Sequence, residues 1–323
     1  MSTIKFNNLY LNDYYILISN EEREHINKYN EIIKDNYYGE KTFEQAEIKM
    51  QKRVISQLIN NNRLSDRDID ALISSDLNSQ ITASTYAASY FNIPFLGIYS
   101  ACSSFTEALL VGGILNKSKI AKKVIACVSS HSLTAERQFR YPVEYGHSRP
   151  MTSTVTATGA VSAIISNKKS SIRIVSGTIG KVIDMGIKDV NNMGAGMVPA
   201  CANTLYQHLY NSKQKLSDYD LILTGDLGNI GIQLLKDYYY NTFHEKIDNV
   251  IDSGNTLYLN DNNKYSGGSG PCCLPLIFLG SIIHRKKYHH ILLLGTGALH
   301  NVFLVNQHLS IPSICHAIEI EVI

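Results

Sequence analysis

An Asp-x-Asp start, an apolar run, a small residue and Asp-Leu occur twice in this chain, as DIDALISSDLN at 68–78 and DYDLILTGDLG at 218–228. The copies lie 150 positions apart, close to half of the 323 residues. Three further pairs follow in the same order: SSFTEALLVGGIL (103–115) with PCCLPLIFLGSII (271–283), KKVIACVSSHS (122–132) with HHILLLGTGAL (289–299), and GAVSAIIS (159–166) with CHAIEIEV (315–322). Buried strands resemble one another by default, so each pair alone says little. Four pairs in one order predict an internal duplication. The charged, serine-containing stretch SNKKSS (166–171) suits the join, which divides the chain into halves 1–170 and 171–323.

Helical and strand patterns alternate within each half. TFEQAEIKMQKRVISQLI carries apolar residues at 43, 46, 50, 54 and 58, a helical spacing, behind a Thr42/Gln45 capping box. ALISS and VIACV are short β-rich runs without alternation, as expected for strands covered on both faces. The pattern predicts an α/β fold with a largely parallel sheet used twice, packed through shared helices into an α-β-α-β-α five-layer body. Ligands in such folds collect beyond the carboxyl ends of the strands. That points to four fragments: Ser100 to Ser104, Ser129 to Arg149, Gly225 to Asn229 and Gly295 to His300.

With 44% apolar and 18% charged residues the chain can bury a large core, and its net charge of +2 argues against a nucleic-acid binder. The N-terminus lacks an uninterrupted apolar h-region, and no apolar run reaches the ~18 to 20 residues that span a bilayer. The expectation is a protein made and kept in a cytoplasm, with any membrane contact peripheral. Cys102, Cys127, Cys201, Cys272, Cys273 and Cys315 form no C-x-x-C pair, so reduced thiols and no structural zinc are expected.

Cys102 follows the apolar IPFLGIY and opens a helical pattern. Unpaired amides and the helix dipole there would lower a thiol's pKa, and an acyl acceptor needs that, plus a base and an oxyanion hole. A small cysteine packed at a strand–helix turn fits the same position. SSHSLTAERQFRYPVEYGHSRP (129–150) gathers His131, Glu136, Arg137, Arg140, Glu144, His147 and Arg149 around Phe139, Tyr141 and Tyr145. Guanidinium forks match carboxylates and aromatic rings stack on planar acids, so this loop could hold a flat, doubly anionic ligand. Equally, Glu136 and Glu144 could pair with the arginines and merely hold the loop in place. The turns SGGSG (266–270) and LLGTGALH (293–300) carry no nucleotide fingerprint. GIKDVNNMGAGMVPA (186–200) reads as a packing element leading into a helix at about Pro199; Asp248 and Asp252 read as solvated or packing groups.

Several words of the sequence are more specific. SSHSLTAERQFRYPVEYG, TIGKVIDMGIKDVNNMGAGMVPACANT, DYDLILTGDLG, YSGGSGPCC and SIPSICHAIEIE run in order from about residue 40 to the C-terminus, and together they resemble the stage V sporulation protein AD family, a branch of the thiolase-like superfamily. The resemblance implies the duplicated thiolase-like five-layer fold and a non-catalytic role. It implies binding of dipicolinic acid or its calcium chelate, in support of its uptake into the developing spore. It further implies a place on the inner membrane of the forespore, beside small membrane proteins of the same operon, with a homodimer possible. No cofactor is implied beyond calcium brought in with the ligand.

Catalytic relatives acylate the counterpart of Cys102 and draw a histidine from the second half. Here that strand runs into TGDLGNIG and offers Asp226, GGSG offers neither Asn nor His, and His300 could stand in, though it falls where relatives keep glycines. The expected ligand site comprises Cys102, His131, Arg137, Phe139, Arg140, Tyr145 and Asp226, without metal ligands. The alternative is a Cys102-dependent acyltransferase or condensing enzyme. The family's GCGC-like segment reads GPCC here, with Pro271 intruding.

Overall fold

The computed structural model describes residues 2–140, 149–259, 261 and 264–323. Its strands form two five-stranded blocks with one shared plan. In the first, Phe95–Gly97, Ala71–Ser75, Lys123–Ser130, Gly159–Ser166 and Tyr10–Ser19 lie side by side. In the second, Val250–Asp252, Leu221–Thr224, His290–Ala298, Ser313–Val322 and Ile172–Thr178 repeat the order. Each block begins with two parallel pairings and ends with two antiparallel ones. Every pair of similar segments seen in the sequence occupies equivalent places. The sheets are mixed, however, where a largely parallel arrangement was expected. Gly159–Ser166 and Ser313–Val322 each pair antiparallel with the long strand that precedes them. The blocks join where Tyr10 and Leu11 pair with Arg173 and Ile172.

Alternation along the strands sorts the core into three layers of side chains. Ile16, Ile73, Val124 and Ala126 of the first block and Leu223, Leu293, Ile318 and Ile320 of the second point into one shared cluster. Two central helices fill it, Ser104–Lys117 and Cys273–Gly280. The intervening residues Leu17, Leu72, Ile125 and Cys127 face outward onto the helix Phe43–Asn61. Ile222, Leu292, Leu294 and Ala317 face outward onto Met193–Ser212, the helix that also packs on Gly228–Phe243. The result is helix, sheet, helix pair, sheet, helix pair. It is the α-β-α-β-α body read from the duplication, with apolar residues on both strand faces because both faces are covered.

Local signals explain the element ends. Thr42 caps Phe43–Asn61 by accepting from the Gln45 amide at 3.3 Å, and Gln45 Oε1 accepts from the Lys41 amide at 3.3 Å. Met193–Ser212 begins six residues earlier than its proline suggested and carries Pro199 in its second turn. Close packing of the central helix requires glycine on the facing strands: a Cβ at Gly295 would lie 2.2 Å from Thr106 Oγ1, and one at Gly177 would lie 2.4 Å from Leu110. Among the described residues no helix is long and apolar enough to cross a membrane.

Candidate functional site

Cys102 lies in a single 3₁₀ turn, Ala101–Ser103, between the strand Phe95–Gly97 and the central helix. Ala101 takes φ +50°, a left-handed conformation that costs energy for a residue with a Cβ. Both halves hold the turn in place. Ser104 Oγ donates to Ala101 O at 2.7 Å and accepts from Ser75 Oγ at 2.9 Å, while Ser103 Oγ donates to Gly295 O at 2.7 Å. Gly297 lets the second-half strand touch the turn, since a Cβ there would lie 2.2 Å from Ser100 O.

The thiol opens into a cavity of about 560 Å³, its mouth included. All four fragments beyond the strand ends reach it: Ala101 and Cys102; Ala135, Glu136, Phe139 and Arg140; Asp226; and Ala298 with His300. Most of its lining is apolar.

The environment of Cys102 reverses the expectation from its helix-opening position. Burial pushes the thiol well up, and the nearby Asp226 carboxyl pushes it further. The dipole of the following helix does not overcome these effects. Asp226 accepts from Thr296 Oγ1 at 2.8 Å and from the Gly270 amide at 3.4 Å. Burial, with the nearby Asp252 carboxylate adding to it, raises Asp226 to about 7 against the pull of Cys102 and Thr296. Thus the glycine turn SGGSG sends an amide to an internal carboxyl; Gly270 holds φ +103° to do so. Asp252, read as solvated or packing, is buried and braces the same corner. It accepts from the amides of Leu227, Gly228 and Asn255 at 2.9 Å each.

Arg140 has only 7% of its side chain exposed. It donates to Thr154 O at 2.9 Å and to Glu136 Oε2 at 3.4 Å, and Arg149 reaches the same Glu136 oxygen at 2.6 Å. One carboxylate thus pairs with two guanidinium groups, of which Arg140 lines the cavity. Phe139 lies beside it, with its ring centroid 5.3 Å from that of His300. His300 itself is 8% exposed, and its Nδ1 is buried without a hydrogen-bond partner. Burial, followed by the charge of Arg140, lowers its pKa to about 4, so the imidazole is neutral near pH 7. The second half therefore does supply an imidazole to the cavity that holds the thiol, although the sulfur's own neighbour is Asp226.

The other expected contacts lie elsewhere. His131 caps the helix Ser132–Phe139: its Nδ1 accepts from the Leu133 amide at 3.2 Å, its Nε2 lies 2.8 Å from Asn36 O, and its ring stacks on Phe43. Arg137, on the outer side of that helix, pairs with Glu44. Neither lines the cavity. Among the described residues, Glu136 is the carboxylate that holds Arg140 and Arg149. Tyr145, like Tyr141, Glu144 and His147, lies outside the described residues. Cys272 is core, with its sulfur 2.8 Å from Ser130 Oγ. Reading the sequence missed Tyr99, Thr154, Thr156, Met193, Met197 and Ser269. Met193 and Met197 lie one turn apart on their helix, in the segment 186–200 whose sequence reads as a packing element. Among the described residues no cluster of His, Cys, Asp or Glu could hold a metal ion.

Solved structures share this architecture. A 3-oxoacyl-[acyl-carrier-protein] synthase III from Aquifex aeolicus VF5 aligns with TM-score 0.55 at 13% identity, covering 99% of this chain and all of that one. A single-residue variant of OleA from Xanthomonas campestris aligns with TM-score 0.62 at 11% identity, covering 99% and 100%. At such identities the likeness establishes the fold, that of thiolase-like condensing enzymes. Sequence similarity is far closer to stage V sporulation protein AD of Bacillus subtilis (strain 168), 37% identical over 292 residues, which span 88% of this chain and 85% of that protein. The family model described as stage V sporulation protein AD matches residues 13–321. With its fold, its duplicated halves and this match across nearly the whole chain, the protein belongs to the stage V sporulation protein AD family.

Proposed function

We propose that the protein is a binding protein for dipicolinic acid, or its calcium chelate, that supports uptake of this acid into the developing spore without catalysing a reaction on it. The observation that carries the reading is the nearly buried Arg140 guanidinium set beside Phe139 in a largely apolar cavity. A planar aromatic dianion needs a fixed guanidinium for a carboxylate and a ring face for its heterocycle. Calcium, when present, arrives coordinated by the ligand. Peripheral contact with small proteins of the forespore inner membrane completes the proposed role.

Calorimetric titration with pyridine-2,6-dicarboxylate tests this directly. Saturable binding in the micromolar range or tighter is expected, weakened about 10- to 100-fold in Arg140→Ala, the range for losing a charge-assisted hydrogen bond. A titration with no saturable heat would refute the proposal.

A second reading, acyl transfer at Cys102, draws on one observation: the thiol and the His300 imidazole line the same cavity. Against it stands the thiol itself, which is pushed away from the thiolate form an acyl acceptor needs. Its signature would be an acyl adduct on Cys102 after incubation with acyl-CoA donors.

A further inference from the structure

The cavity continues outward into a wider vestibule, and Leu77, Tyr99, Phe139 and His300 line both spaces. These four residues form the neck between them. Among them His300 alone brings a nitrogen with nothing bound to it: Nδ1 is buried without a hydrogen-bond partner. Leaving a buried polar atom unpaired is costly, and in native structures it calls for an explanation. His300 lies two residues beyond the strand His290–Ala298, and its neighbour Asn301 is occupied in capping the next short helix by accepting from the Leu304 amide at 3.1 Å. Phe139 covers one side of the ring, and the Arg140 guanidinium is close enough to disfavour a second positive charge there. The groups at the neck thus oppose a cation at His300 and leave its Nδ1 unpaired.

We propose that His300 is the second anchor of the bound acid: Nδ1–H donates to the carboxylate that Arg140 does not hold, and the pair selects ligands with two carboxylates over ligands with one. This rests on the reading of the cavity as a dicarboxylate site and adds the residue that sets its specificity. A neutral donor suits the position, because it pairs with the anion and, with the cavity empty, adds no charge beside Arg140.

The experiment compares pyridine-2,6-dicarboxylate with pyridine-2-carboxylate on the full chain, His300→Phe and His300→Asn. Phenylalanine keeps a ring against Phe139 and removes the nitrogen; asparagine places an amide near the Nδ1 position. The unmodified protein should prefer the diacid by about tenfold or more. His300→Phe should narrow that preference to within about threefold, and His300→Asn should restore most of it. A purely structural role would weaken both ligands alike and leave the ratio unchanged, and that result overturns the inference while leaving the binding proposal standing. Failure of the unmodified protein to bind either acid sinks both. Nitrogen-15 spectra of the unmodified protein provide a check independent of how the variants fold: the His300 Nδ1 resonance must move on saturation with the diacid, and an unmoved resonance contradicts the role.

Discussion

Cys102 and Asp226 show how a neighbour overrides a position. A thiol in front of a helix is expected to ionise easily, yet burial and the adjoining carboxyl hold this one protonated. The sequence displayed both residues but not their proximity, which depends on bringing residues 124 positions apart to the same cavity. His131 illustrates the opposite case: a histidine in a charged segment, attractive as a ligand contact, spends both ring nitrogens on backbone groups. The titration of Asp226 carries a prediction. Near pH 8 its carboxylate is ionised and repels a bound dianion; below about 7 it is protonated and the repulsion is gone. Affinity for dipicolinate should therefore rise as pH falls from 8 to 6, by no more than about tenfold per unit for one proton taken up. Asp226→Asn should bind tightly at pH 8 and lose this dependence. Binding measured at pH 6, 7 and 8 decides it, and a flat profile in the unmodified protein would remove Asp226 from the site.

At the scale of elements, the strands and the helix Phe43–Asn61 were legible because their apolar spacing and capping residues are local signals. The start of Met193–Ser212 was not. A proline usually marks a first helical turn, and here the helix runs through Pro199. Nor could the sequence reveal that the Cys102 turn is pinned by the far half, since the signal is only the glycines of LLGTGALH. Gly297 makes that dependence testable. Gly297→Ala forces a Cβ to within 2.2 Å of Ser100 O, so strand and turn must part. Overpacking of this kind costs about 1–3 kcal/mol. Urea denaturation should show a loss of that order, and dipicolinate binding should weaken with it. An alanine variant with unchanged stability and affinity would mean that the turn does not need the close contact.

The whole molecule is a duplicated fold whose cavity belongs to neither half alone. Cys102, Phe139 and Arg140 come from the first half, and Asp226, Ala298 and His300 from the second. The repeated segments exposed the duplication, and the rule that ligands gather beyond strand ends located the four contributing fragments. Which side chains of the 129–150 segment turn inward was settled only by folding: on the helix Ser132–Phe139, Glu136 and Phe139 line the cavity while Arg137 pairs with Glu44 outside it. Burial also gives the central claim, that the cavity of Cys102 is a receptor for dipicolinate, a direct chemical readout. Cys127, Cys201, Cys272, Cys273 and Cys315 are buried, and Cys102 alone is partly exposed. Alkylation of the native protein with iodoacetamide, followed by peptide mass spectrometry, should accordingly mark Cys102 first and slowly. Saturating dipicolinate should slow that modification about tenfold or more, as expected for a ligand seated over the sulfur. An alkylation rate at Cys102 that is the same with and without dipicolinate would contradict the claim.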